Sequence, residues 1–199
     1  MHTRFTSMRR RLLAAAVLAC AFGQPAAAAE IGGVKFADTA NLAGKDLQLN
    51  GVGLRTKLFI KVYAAGLYLP EKKREVAEIL KLEGPRRVTL VMMRDVSSAD
   101  FSKAYMEGLD DNLAAAEKTR LAPQIGKVSE MFGRLEGLKK GDVLNLDWIP
   151  GTGTVYELNG KRLSAPIPEL EYYNAMLRIW LGAKPVDASL KTQLLGAGK

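Results

Sequence analysis

The segment Leu58–Leu69, LFIKVYAAGLYL, restricts the fold more than any other part of the chain. It is rich in β-branched and aromatic residues, which favour a strand. Alternation puts Phe59, Tyr63, Ala65, Leu67 and Leu69 on one face, interrupted by Lys61. Leu58, Ile60, Val62, Ala64 and Tyr68 fall on the other. A strand that is apolar on both faces must be covered on both sides over part of its length. The preceding stretch Leu47–Arg55 also reads as a strand, with Gly51 and Gly53 inside it. Interior glycines predict a bulge or a close approach of another backbone or ligand.

The remaining pattern builds around this pair. Further strands are expected at Ile31–Phe36, Arg87–Val96 and Val143–Trp148, and in a hairpin of Thr154–Leu158 with Lys161–Leu163. Asn159-Gly160 is a type I′ turn signal for that hairpin. Glu71–Leu82 reads as a short surface helix. Ser97-Ser98-Ala99-Asp100 caps a second helix, with Phe101, Tyr105, Gly108 and Leu109 on one face. Pro123 is expected to open a third, carrying Ile125, Val128, Phe132 and Leu135. A fourth runs from about Pro168 to Leu181, with Tyr172, Met176, Ile179 and Trp180 inward. A short amphipathic turn follows at Leu190–Leu195. Adjacent strands with a tight hairpin, punctuated by helices, predict an α+β fold: a large antiparallel sheet with helices packed on one face.

The first thirty residues read as an export signal. Arg4, Arg9, Arg10 and Arg11 form a basic region without acids, and Leu12–Gly23 is apolar but too short to span a bilayer. Ala27-x-Ala29 is a signal-peptidase pattern. Residues 1–29 are therefore expected to be a cleaved signal, leaving one domain over 30–199 in the periplasm or secreted. Cleavage before Cys20, which follows a loose lipobox, would instead give a lipoprotein, but after a much shorter apolar run. Of the 199 residues, 29 are Lys or Arg and 21 are Asp or Glu. Losing the four arginines leaves a nearly balanced chain. The only histidine, His2, and the only cysteine, Cys20, go with the signal. Ser-His-Asp or Cys-His catalysis, ordinary zinc sites, iron–sulfur clusters and disulfides are then excluded. No later segment is apolar for long enough to span a membrane as a helix.

Arg55 is the candidate binding residue. It follows paired glycines and precedes the doubly apolar strand, and a guanidinium grips a carboxylate through two parallel hydrogen bonds. With no partner evident in the sequence, it is expected to be an unpaired cation that wants an external anion. The alternative is a structural arginine at a strand end. Gly51 and Gly53 are not a dinucleotide fingerprint, because no helix follows them. Gly151-Thr152-Gly153-Thr154 lacks the Gly-Lys ending of a phosphate loop. Lys72-Lys73-Arg74 reads as a solvated turn, and nothing resembles a nucleic-acid face.

The run Asn50-Gly51-Val52-Gly53-Leu54-Arg55 with Lys61-Val62-Tyr63-Ala64-Ala65-Gly66-Leu67-Tyr68-Leu69 resembles the chalcone isomerase superfamily, in particular its exported bacterial branch. The tail from Trp180-Leu181-Gly182 to Gly196 resembles it too. The resemblance implies an open-faced β-sandwich with a ligand cleft between sheet and helices. It also implies one of three behaviours: chalcone cyclisation, fatty-acid binding through an arginine, or haem binding. The family's arginine falls at Arg55. Its cleft threonine falls at Tyr63, its helix tyrosine near Phe101 and its asparagine near Gly108. The arginine is thus kept and the polar helpers of the isomerase are not, which suits an amphipathic carboxylate better than proton transfer. Haem would need a tyrosine or methionine ligand, so no cofactor and no metal are expected.

The expected function is a non-enzymatic, exported binding protein for a fatty-acid-like or other small apolar carboxylate. Arg55 would hold the head group, Tyr63 or Tyr68 would donate a second hydrogen bond, and Phe101 and Tyr105 would line the cleft. The alternatives are an isomerase or lyase acting on an enone-like substrate, and an envelope protein without a ligand. The intact mass of the exported protein should match a chain that starts at Glu30. A diacylated chain starting at Cys20 would establish the lipoprotein reading instead.

Overall fold

The computed structural model describes residues 28–197. The chain opens with β1 (Ala28–Ile31) and β2 (Val34–Ala37), paired in a hairpin around Gly32-Gly33. There follow β3 (Thr39–Leu42), β4 (Lys45–Lys57) and β5 (Ile60–Leu69). Then come α1 (Val76–Lys81), β6 (Arg86–Met92), α2 (Ser98–Asn112) and α3 (Ala115–Gly133). Strands β7 (Val143–Ile149), β8 (Gly153–Leu158) and β9 (Lys161–Arg162) are followed by α4 (Leu170–Leu181) and α5 (Ala188–Leu194). Strands β3 to β9 form one antiparallel sheet of 7 strands in chain order. Helices pack on one of its faces, so the expected α+β class and open-faced architecture hold.

Strand β5 is covered on both sides. Tyr63, Ala65, Leu67 and Leu69 join the core beneath the helices. Ala64 and Tyr68 join a second core with Phe36, Leu42, Leu47 and Leu49. The β1–β2 hairpin covers this outer face. Gly66 is needed there, since a Cβ would fall 2.7 Å from the Phe36 ring. Beyond the hairpin the outer face turns polar. Arg87 grips Asp147 with two hydrogen bonds of 2.7 and 2.6 Å, and Thr89 bonds Asn145 at 2.8 Å.

Gly51 and Gly53 make room for α5, not for a ligand. A Cβ at Gly51 would meet the carbonyl oxygens of Gln193 and Leu194, the latter at 2.7 Å. One at Gly53 would lie 2.7 Å from Leu190 Cδ1. The register shifts between Leu49 and Gly51, and the displaced Asn50 ties the region together. Its amide donates to Leu194 O at 2.8 Å and its carbonyl accepts from the Lys73 amide at 2.7 Å.

Four local expectations need correction. Ile31–Phe36 is not one strand, because Gly32 and Gly33 adopt φ of 61° and 86° and fold it back. Leu58 and Phe59 form the β4–β5 turn, outside both strands, at φ of 49° and 65°. Pro123 does not open α3 but lies inside it. The Ala115–Ala116 start favours helix, Glu117 reaches back to the Ala114 amide at 3.0 Å, and a buried face from Leu121 to Phe132 holds the helix across the proline. The helix expected at Glu71–Leu82 is reduced to α1.

Gly51→Ala should destabilise the protein by about 1–3 kcal/mol, the scale of overpacking. Gly53→Ala should cost less, because part of its clash is with the movable Gln193 side chain. Urea melts of both variants test this; wild-type stability in Gly51→Ala would refute the docking of α5 on β4.

Candidate functional site

A cleft of about 690 Å³ opens where the helical layer stops short of the free ends of β4 and β5. Its apolar floor includes Tyr63 and Leu90 from the sheet, Phe101 from α2, and Ile179 and Trp180 from α4. Arg55, Lys57, Arg94 and Lys184 are among the cations at its rim.

Arg55 and Tyr63 are direct partners across β4 and β5, and both line the cleft. Tyr63 is buried, and its hydroxyl accepts from Trp180 Nε1 at 2.9 Å. Its own proton has no acceptor among the described residues. Burial pushes the phenol up to about 12, although the Trp180 hydrogen bond and the Arg55 charge oppose the shift. Tyr63 therefore stays neutral at physiological pH and keeps a proton to donate.

Arg55 is not the unpaired cation expected from the sequence. Its guanidinium lies 3.7 Å from Asp187 Oδ2 and donates to Thr56 O at 3.1 Å. Asp187 lies far along the chain and reaches Arg55 only because α5 docks on the glycines of β4. It also caps α5, accepting from the amides of Ser189 and Leu190 at 2.9 and 3.1 Å. Its Oδ2 accepts from the Thr56 amide at 3.2 Å. At 3.7 Å the contact with Arg55 is an ion pair longer than a hydrogen bond.

The other expected site residues divide. Phe101 lines the cleft, held edge-on against Phe132 with ring centroids 5.0 Å apart. Tyr105 lines it only with its ring. Its hydroxyl closes a buried triangle with Tyr156 and Tyr172, with edges of 2.6, 2.9 and 2.7 Å. Tyr68 is on the wrong side: five residues from Tyr63, it faces the outer core and donates to Ala37 O at 3.0 Å. Odd spacing along a strand reverses the face. At Gly108 a Cβ would fall 2.8 Å from Ile179 Cγ2, so α2 and α4 leave no room there for an asparagine without movement. Asp187 and the role of Trp180 were not foreseen. The Asp-x-Ser-Leu start of α5 was readable as a cap, but its pairing with Arg55 was not.

A profile of chalcone isomerase-like proteins matches residues 28–196. The chain belongs to the chalcone isomerase-like family. Among solved structures, a fatty-acid binding protein of Arabidopsis thaliana superposes with a TM-score of 0.64 at 15% identity. The match covers 85% of this chain and 96% of that one. This likeness confirms the fold, with its curled sheet and one-sided helical layer. No curated protein sequence matches the chain.

Haem, which the sequence resemblance raised, finds no fitting axial ligand among the described residues of the cleft. The cleft lining offers neither imidazole nor thioether, the Tyr63 hydroxyl is held by Trp180, and the Tyr105 hydroxyl is turned into its triangle.

The two members of the ion pair should differ when removed. Arg55→Ala should cost no more than about 1 kcal/mol, as for partly exposed pairs. Asp187→Ala should cost more, because it also loses a helix cap worth about 0.5–2 kcal/mol. Chemical denaturation of both variants gives the order; a larger loss for Arg55→Ala would make the arginine structural.

Proposed function

We propose that this protein is an exported, non-enzymatic binding protein for a fatty-acid-like or other small apolar carboxylate. The carrying observation is the Arg55–Tyr63 pair, a guanidinium and a neutral phenol side by side at one end of an apolar cleft. A carboxylate set there accepts from both, and the apolar floor takes the tail. The cleft volume lies within the range of about 300–1,000 Å³ common for small-molecule sites. The Arabidopsis relative, described as a fatty-acid binding protein, supports the same ligand class. Asp187 explains how the cation is tolerated without ligand, since an unpaired, partly buried arginine would be costly. A ligand carboxylate within hydrogen-bonding distance would form a shorter contact to the guanidinium than the present 3.7 Å one. Export rests on the basic and apolar pattern of residues 1–29, of which 1–27 lie outside the described residues.

The non-enzymatic reading follows from what surrounds the pair. A phenol with its pKa pushed up to about 12 is not poised to act as a base, and Phe101 and Gly108 offer no side-chain donor to a developing oxyanion. Loss of one such donor costs about 10²–10³ in rate in oxyanion sites. Chalcone cyclisation should stay at background; Arg55-dependent turnover would overturn this.

Binding is tested by titrating a fluorescent fatty acid. Arg55→Ala should weaken affinity by about 1.5–3 kcal/mol, and Tyr63→Phe by about 0.5–1.5 kcal/mol. Arg55→Lys should recover only part of the loss, because an ammonium cannot form the bidentate fork. Unchanged affinity in both Arg55→Ala and Tyr63→Phe would sink the proposal.

A further inference from the structure

Large hydrophobic side chains that are exposed among the described residues occur at three consecutive positions. Leu58 is 82% exposed, Phe59 99% and Ile60 51%. They form the tip of the β4–β5 hairpin, where Lys57 pairs with Ile60 across a two-residue turn. The turn backbone makes this harder to explain as accident. Leu58 and Phe59 both have positive φ, at 49° and 65°. Such turns favour Asn and Gly, and bulky residues are disfavoured there. The same chain closes three other two-residue hairpins with glycine at one or both turn positions. Gly32-Gly33 has φ of 61° and 86°, Ala43-Gly44 has 51° and 76°, and Asn159-Gly160 has 51° and 78°. Leu58-Phe59, the one of these turns with no glycine, is thus a local departure from what folding prefers, and such departures concentrate at functional sites.

The surroundings of the tip indicate what it meets. Lys57 and Lys61, both exposed, bracket the apolar triplet, and the five-residue segment contains no acid. Leu58 and Ile60 also line the cleft, whose lining carries Arg55 and Arg94 as well as Asp95 and Asp100. Apolar side chains flanked by lysines match a bilayer with anionic head groups: the apolar groups enter the acyl boundary and the ammonium groups stay among the phosphates. A mouth held against the bilayer would let an acyl chain pass between membrane and cleft without crossing water.

We propose that the Lys57–Lys61 tip is a membrane-docking element for an anionic lipid surface, placing the cleft mouth against the bilayer for acyl-chain exchange. The exchange part rests on the carboxylate-binding reading; the docking part does not. A Phe59→Trp variant provides a local reporter at the tip, read against the wild-type signal of the buried Trp148 and Trp180. Wild type and variants are used as recovered from the same cells, so all share one N-terminus. With vesicles of phosphatidylethanolamine and phosphatidylglycerol, emission of the introduced indole should shift to the blue and be quenched by lipids brominated in their acyl chains. Phosphatidylcholine vesicles or raised salt should reduce the effect, because head-group charge contributes. Leu58→Ser with Phe59→Ser, and separately Lys57→Glu with Lys61→Glu, should each weaken vesicle binding about tenfold or more. Phe59→Ser alone, at a position outside the cleft lining, should weaken vesicle binding yet leave affinity for a soluble fluorescent fatty acid within about twofold, since Phe59 points to solvent and Arg55 and Tyr63 are untouched. Water-like emission of the tip indole at saturating anionic vesicles would overturn the docking proposal. So would a blue shift that grows with protein concentration without lipid, which would assign the tip to a second copy. If vesicles bind but fatty acid does not, docking stands and the exchange role falls with the carboxylate reading.

Discussion

A strand that must be covered on two sides organises this protein. Burial of β5 begins at Tyr63 and continues to Leu69, whereas Ile60 and Lys61 are exposed. Small residues at Ala64, Ala65 and Gly66 let both covering layers approach the backbone closely. Where the helical layer ends, the sheet continues, and the step between them is the cleft. Tyr63 sits at that boundary, and β pairing sets Arg55 beside it. The site is thus the unfinished end of the same packing that holds the domain together.

The docking of α5 on β4 supplies the second element. Without side chains at Gly51 and Gly53, the final helix lies against the strand, and its cap residue arrives beside Arg55. Asp187 then serves the helix, the Thr56 amide and the guanidinium together. Arg55 is thus partly desolvated and only loosely paired. The residue that pairs with Arg55 is therefore also the one that begins α5.

The cleft wall is made rigid from behind. The triangle of Tyr105, Tyr156 and Tyr172 joins α2, β8 and α4 through mutually satisfied hydroxyls. Burial raises Tyr105 and Tyr156 well above the usual phenol range and Tyr172 to about 12. Arg86, fully buried, is held by Ile79 O and Asn174 Oδ1 at 2.9 Å and lies over the Tyr173 ring. Both arrangements fix α4 on the sheet and so hold Trp180 in place to donate to Tyr63. The rim at the hairpin tip has no such backing.

Alternation is a property of neighbouring residues, so the two-faced burial of β5 and the I′ hairpin at Asn159-Gly160 were legible from local pattern. The α+β class was legible from element order, and Arg55 and Tyr63 from motif resemblance. The same parity showed Tyr63 and Tyr68 on opposite faces, but not which face would meet the helices. Pro123 misled because local helix rules were overridden by a buried face that spans it. Leu58 and Phe59 continued an apolar run, and only their positive φ revealed a turn. The residues themselves thus settled the sheet and singled out Arg55 as the candidate at the end of β4. The partner of that arginine, the use of the glycines and the confinement of Tyr105 to a hydroxyl triangle were decided by contacts between segments distant in the chain or on separate elements. No local pattern encodes such contacts, because they exist only after the layers have packed.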